Sequence, residues 1–391
     1  MRLIKLYLFG VWGLGFGVMR PLKVCAQSEK PLKIAVFAPV YLDSVFTEGN
    51  YKLGNAYLPR QVLPGLDFYN GMMMAIDSLN TTHTPISVLF YDSKSATMPL
   101  QTVVSNPELQ DVSLIIASFN SRTDIKPLAD LALQLNVPLI SSTYPNDGGI
   151  TGNPFFVLIN PTLKTHIEAI YHYLHRVYPL ENMVLFRKKG GIEDLIQYVL
   201  GDMNRKTAGV PLKIKTVELT DSFSVRDVTD NLDSTKQNIV ICGTLNEEFG
   251  SSLSKALGSS RNFHTITMGM PTWDGIKDIS KDIEIIYTTP YNFLKNDKLM
   301  IELNAKYRAK YAGRPGDMFF KGYEAMFHFS KLLVKNKSNL INTLSDKDFK
   351  LFNDFDIQPV KSNKESSQPD YLENKKLYFI RKADGVVKSV N

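Results

Sequence analysis

Cysteine is nearly absent. The 391-residue chain has two, Cys25 and Cys242, too few for a scaffold held by disulfides. Long apolar runs are missing after the N-terminus and mean hydropathy is -0.12, which excludes a multi-span membrane protein. Neither sign of charge dominates, with 45 Lys and Arg against 39 Asp and Glu. Hydrophobic residues make up 44% and charged residues 21%, which excludes disorder and collagen. At roughly 100–200 residues per domain the length implies two or three domains, each able to bury a core.

Catalytic signatures are missing too. No Gly-x-Gly-x-x-Gly follows the first strand, where the turn reads Pro39-Val-Tyr-Leu-Asp43. There is no phosphate loop and no Gly-x-Ser-x-Gly elbow. Ser252-Leu-Ser-Lys255 has Ser-x-x-Lys spacing, but neither Ser-Asp-Asn nor Lys-Thr-Gly accompanies it, so it reads as an exposed helix face. His172 and His175 share a helix face and could hold a metal, but His166 points elsewhere and no acid or cysteine joins them. Met72-Met-Met74 reads as core, and Glu247-Glu248 as first-turn charge on a helix. No enzyme activity, cofactor or metal is expected.

The N-terminus carries Arg2 and Lys5, then the apolar run Leu6–Met19, then Val24-Cys25-Ala26. Small residues before the scissile bond place a signal-peptidase cut after Ala26, so residues 1–26 read as a signal peptide. Two alternatives stand beside it: an uncleaved anchor, for which the run is short, and lipidation at Cys25, which Val24 suits poorly. Cleavage removes four bases and no acid, lowering the net charge from +6 to +2. That leaves no electrostatic case for nucleic acid. Cys242, the remaining cysteine, lies in the apolar run Asn238–Gly243 and reads as a small core residue.

Apolar runs and helical periodicities alternate along the rest of the chain. Strands are predicted over 33–38, 86–91, 112–117 and 137–141, with helices over 67–79, 98–106 and 121–135 between them. Ser121-Arg-Thr-Asp124 has capping-box form. The pattern then restarts, with strands at 155–159, 183–186, 212–219, 239–242, 265–268 and 283–287. Helices are predicted at 162–178, 191–206, 225–233, 246–258, 297–312 and 318–335. Residues 361–375 read as an exposed loop, and Leu377–Val387 as a hairpin turning at Asp384-Gly385. The fold class is α/β, with two doubly wound parallel-sheet lobes.

Ligands of open α/β sheets sit beyond the carboxyl ends of the strands. Here those ends carry Ser118-Phe-Asn120-Ser121 and Ser141-Ser142-Thr143-Tyr144, groups suited to a carboxylate or other anion. Ser121 also reads as a helix cap. In the second half the ends carry Arg187-Lys-Lys189, Gly243-Thr244-Leu-Asn246 and Gly269–Asp274. Trp273 follows Pro271 in a loop, where it could wall a ligand or pack as core or surface.

This order resembles the type 1 periplasmic binding proteins, and most of all the branched-chain amino acid binding proteins of ABC importers. The pieces that carry the resemblance are Asp67–Leu79, Tyr91-Asp92, Ser118–Asp124, Val137–Ser142, Met268–Pro271, Tyr287–Pro290, Tyr311–Gly316 and Gly322–Ala325. It implies one lobe of 31–152 plus 290–349, a second of 153–289 plus 350–391, a three-strand hinge, and ligand captured as the lobes close. It also implies a periplasmic location, a small-molecule ligand, a permease partner and no membrane insertion after cleavage. Carried over by position, first-lobe contacts fall on Tyr41, Asn120, Ser121, Ser142 and Thr143, with Phe319 or Phe320 near the hinge. Second-lobe contacts fall near Lys189, Thr244 and Trp273. Two departures stand out. The acid that amino acid binders of this branch place just after the Met-Gly segment is missing, Asp274 coming later. Residues 41–66 form a connection longer than about 15 residues, a length that suggests a function such as covering the cleft or docking a partner. An interaction or sensor module on the same two lobes is the alternative reading.

Overall fold

The computed structural model describes residues 30–292, 297–363 and 365–390. The signal segment and Cys25 lie outside them. The chain runs β1 (Leu32–Ala38), β2 (Phe46–Thr47), β3 (Asn50–Tyr51), α1 (Val62–Thr81), β4 (Ile86–Asp92), α2 (Leu100–Val103), β5 (Val112–Ala117), α3 (Ile125–Leu135), β6 (Leu139–Ser141) and β7 (Phe156–Leu158). Then follow α4 (Leu163–Val177), β8 (Asn182–Arg187), α5 (Gly191–Lys206), β9 (Ile214–Glu218), α6 (Val225–Thr229), β10 (Gln237–Cys242), α7 (Glu247–Gly258), β11 (His264–Met268) and β12 (Glu284–Thr289). The last part holds α8 (Lys298–Tyr311), α9 (Asp317–Asn336), β13 (Ile357–Val360), β14 (Tyr371–Asn374), β15 (Tyr378–Ala383) and β16 (Val386–Val390).

These strands make two seven-stranded sheets, ordered β13-β14-β7-β6-β5-β1-β4 and β16-β15-β12-β11-β10-β8-β9. Pairing is parallel except at β13–β14, β12–β15 and β15–β16. The central strands are apolar at nearly every position because both faces are covered. In the first sheet Ile34, Val36, Leu114 and Ile116 face the core under α1, α8 and α9, and Ala35, Phe37, Ile115 and Ala117 face α3. That split is the two-residue period of a strand. The second sheet packs its helices around one continuous core from Ile167 to Ile380.

Helices α1 and α9 touch backbone to backbone through two glycines. A Cβ on Gly71 would lie 2.0 Å from the Phe319 carbonyl oxygen, and one on Gly322 would lie 2.3 Å from that of Phe68.

Five expectations need correction. β7 lies in the first sheet, paired with β6, so the second lobe does not begin at 153. β13 and β14 also join the first sheet, so 350–391 is divided between the lobes. The supposed loop 361–375 contains β14, three of whose four residues are buried. The helix expected over 98–106 is only one turn, and the 121–135 helix opens with a 3-10 turn over Arg122–Asp124. The connection 41–66 forms a small hairpin, β2–β3, turning through Glu48 and Gly49, both at positive φ. No helix among the described residues is long and apolar enough to cross a membrane.

Candidate ligand cleft between the lobes

The chain passes between the sheets three times: after β7, after β12 and after β14. The first and third crossings are bonded together. Glu373 accepts the Thr162 N–H at 2.7 Å, and Asn374 donates to the Ile159 carbonyl at 3.2 Å. Lys375 donates to the Thr165 hydroxyl at 2.7 Å and pairs with Glu373. At the second crossing the Asn292 N–H donates to Asn353 at 2.6 Å. Buried Glu324 holds Asn353 in turn, accepting the Phe352 and Asn353 N–H groups at 2.9 Å each. Burial raises the Glu324 carboxyl to about 7. His166 sits 2.8 Å from the Thr288 hydroxyl, and burial pushes its imidazole down to about 3. It is therefore neutral at physiological pH.

On the first lobe, Asp92 ends β4 and gathers the loop that follows β1. Its carboxylate accepts the N–H groups of Val40, Tyr41 and Leu42 at 3.0, 3.1 and 2.7 Å. Tyr41 is thereby held in a left-handed conformation, φ 56°. Its phenol accepts a hydrogen bond from the Asn120 amide at 2.8 Å. The Ser118 and Thr143 hydroxyls lie 3.0 Å apart, and Asn160 donates to the Thr143 carbonyl at 2.7 Å. The hydroxyls of Ser141 and Ser142 are buried without a hydrogen-bond partner. Four of the expected residues therefore lie on adjoining strand-end loops: Tyr41, Asn120, Ser142 and Thr143. Ser121 caps its turn, accepting the Thr123 N–H at 3.3 Å.

The second-lobe expectations fare differently. Thr244 is fully buried and donates to Glu193 at 2.5 Å, so it holds the β10 loop to α5. Trp273 is fully buried in the second core, not a wall over a ligand. Phe320, expected near the hinge, is likewise buried, but in the first-lobe core, with its ring 5.1 Å from that of Phe319. Lys189 is exposed and pairs with Glu218 at 3.6 Å. Burial of Trp273 and Phe320 removes their apolar surface from water, and the Thr244 hydroxyl finds its partner inside the lobe.

Sequence reasoning missed Tyr291 and Lys321 beside the second crossing, and did not foresee the partner of Asp274. Tyr291, just past the second crossing, donates its hydroxyl to the Ser142 carbonyl. Lys321 places its ammonium 4.1 Å from the Tyr291 ring centroid. Asp274 accepts the Tyr287 hydroxyl at 2.8 Å. Tyr291 could have been suspected from its place after Tyr287–Pro290. Nothing local marked Lys321, which reads as one more basic residue on a helix.

No family model and no curated protein matches this sequence. Solved structures do match in fold. An ABC transporter substrate-binding protein from Desulfitobacterium hafniense, in complex with Leu, superposes with TM-score 0.59 at 13% identity, over 92% of this chain and 99% of that one. A branched-chain amino acid ABC transporter periplasmic ligand-binding protein from Burkholderia xenovorans gives 0.60 at 13% identity, over 92% and 94%. The LpoA C-domain from Haemophilus influenzae, a regulator of PBP1A, gives 0.54 at 12% identity, over 92% and 100%. The chain thus has the type 1 periplasmic binding protein fold. Many of its structural neighbours are substrate-binding proteins of ABC transporters, several of them for branched-chain amino acids.

Proposed function

We propose that this protein is a periplasmic solute-binding protein that captures a small polar ligand between its lobes for an ABC-type importer. The ligand is an amino acid or similar carboxylate. The observation that carries the reading is the first-lobe rim, where Tyr41, Asn120, Ser142 and Thr143 adjoin at strand ends beside the crossings. An anion there finds neutral hydrogen-bond donors held in place by Asp92 and Asn160. Cleavage after Ala26 delivers the mature chain to the periplasm. The division into a lobe of 31–152 plus 290–349 and a second lobe is kept, with β7, β13 and β14 moved to the first.

Protein stripped by unfolding and refolding should show a ligand-specific rise in melting temperature against a panel of amino acids, short peptides and organic acids. A ligand at 100 times its Kd stabilises by about 2.7 kcal/mol. No shift across the panel would count against the reading.

A second reading is an interaction module docking a cell-envelope partner. One observation favours it: the 41–66 connection exposes Phe46, Tyr51 and Tyr57, the last 98% accessible. Deleting the hairpin should then abolish partner capture and leave small-ligand binding intact. The reverse result sinks this reading.

A further inference from the structure

Lys321 sits on α9 between the buried Phe320 and Tyr323, yet its ammonium does not enter the first-lobe core. It lies against the Tyr291 ring, which is itself tied to the β6 loop through the Ser142 carbonyl. Two acids act on it from a distance: Asp317 at the start of α9 and Asp274 on the second lobe. Lys321 thus stands where α9 meets the second crossing, within electrostatic reach of Asp274 on the second lobe.

The ammonium is poorly served there. Among the described residues no carboxylate comes within ion-pair distance and no acceptor takes its N–H groups. Asp274 has given one oxygen to Tyr287. An aromatic face attracts a cation but cancels none of its charge and accepts none of its three donors in the ordinary way. A half-buried ammonium in that state calls for an anion. Burial pulls its pKa down, and Asp317 and Asp274 oppose the fall, favouring the charged form. The buried Ser142 hydroxyl, also without a partner, belongs to the residue whose carbonyl Tyr291 binds.

We propose that Lys321 is the anion anchor of the cleft, and that the ligand class is a small acid whose anionic group pairs with this ammonium, such as a dicarboxylate or an acidic amino acid. The inference rests on the reading of the cleft as a small-ligand site. It assigns to α9 a specificity-determining residue, in place of the acid that the resemblance leads one to expect after Met268-Gly269.

Calorimetric titration of the mature chain with L-glutamate, succinate and L-leucine tests this, with wild type, Lys321→Met and Lys321→Arg compared. Glutamate or succinate should bind wild type. Lys321→Met should weaken that binding by about 30-fold or more, the usual effect of truncating one side of a buried charge pair. Lys321→Arg should retain most of it. Ligand-free melting of Lys321→Met should match or exceed wild type, since a buried charge has been removed. Leucine binding that survives Lys321→Met unchanged, without binding of either acid, overturns the anchor and leaves the cleft reading standing. Wild type that binds none of the three, nor anything in the wider panel, overturns both.

Discussion

Asp92 shows how one side chain can set the geometry of a polar rim. It accepts N–H groups from Val40, Tyr41, Leu42 and Lys94, so the loop after β1 has little freedom. Hydrogen bonds to a charged group contribute about 1.5–3 kcal/mol each, and they are not additive. Asp92→Ala should therefore lower unfolding free energy by about 3 kcal/mol in urea denaturation. It should also release Tyr41 from Asn120, so any ligand found in the panel should bind more weakly. His166 carries a pH signature. Its folded pKa of about 3 is far below the unfolded value of 6.5. The unfolded state gains a proton first, so the stability this residue allows is complete above pH 6.5 and is lost as pH falls toward 3. His166→Gln, which can still bond Thr288, should flatten the acid limb of stability against pH. An unchanged acid limb would rule out His166 as its source. At this scale the placement of Ser and Asn at the strand ends was readable from the apolar runs that precede them, though Ser121 there serves as a cap. Trp273 and Phe320 were not, since an aromatic beside a loop has the same local sequence whether it faces a ligand or a core.

The α1–α9 contact is the most exacting feature among the elements. Gly71 and Gly322 let the two backbones meet, and any side chain there would push the helices apart. Gly71→Ala and Gly322→Ala should each cost about 1–3 kcal/mol, measured by denaturant midpoint, with the cost of overpacking falling on the first lobe. Because α9 also carries Lys321 and Glu324, these variants should disturb ligand binding as well. Glu324 adds a second pH effect with the opposite sign. Its folded pKa of about 7 exceeds the ordinary glutamate value of 4.5, so its contribution favours folding below pH 4.5 and declines as pH rises to 7. Strands such as β1 and β10 were readable because burial on both faces makes them continuous apolar runs. β14 was hidden. Its sequence, Tyr371-Leu-Glu-Asn374, carries Glu373 and Asn374, which are buried only because they bond the first crossing. β7 was found as a strand but assigned to the wrong lobe, since its partner β6 is a matter of pairing across the chain.

Three crossings join two separately packed sheets, and the proposed clamp requires the lobes to move as bodies about them. The network of Glu373, Asn374 and Lys375 ties the first and third crossings together, so closure of the proposed clamp would have to bend around it. Two packed lobes and a polar rim were foreseeable from alternating strands and helices. The way the C-terminal strands divide between the sheets was not, because no local pattern encodes it. Small-angle X-ray scattering of the mature protein, with and without the acid or amino acid that raises its melting temperature, tests the clamp most directly. The expected result is a smaller radius of gyration on saturation, reversed when the ligand is dialysed away. An identical radius in both states, with saturation verified by calorimetry, would contradict capture by closure of the lobes.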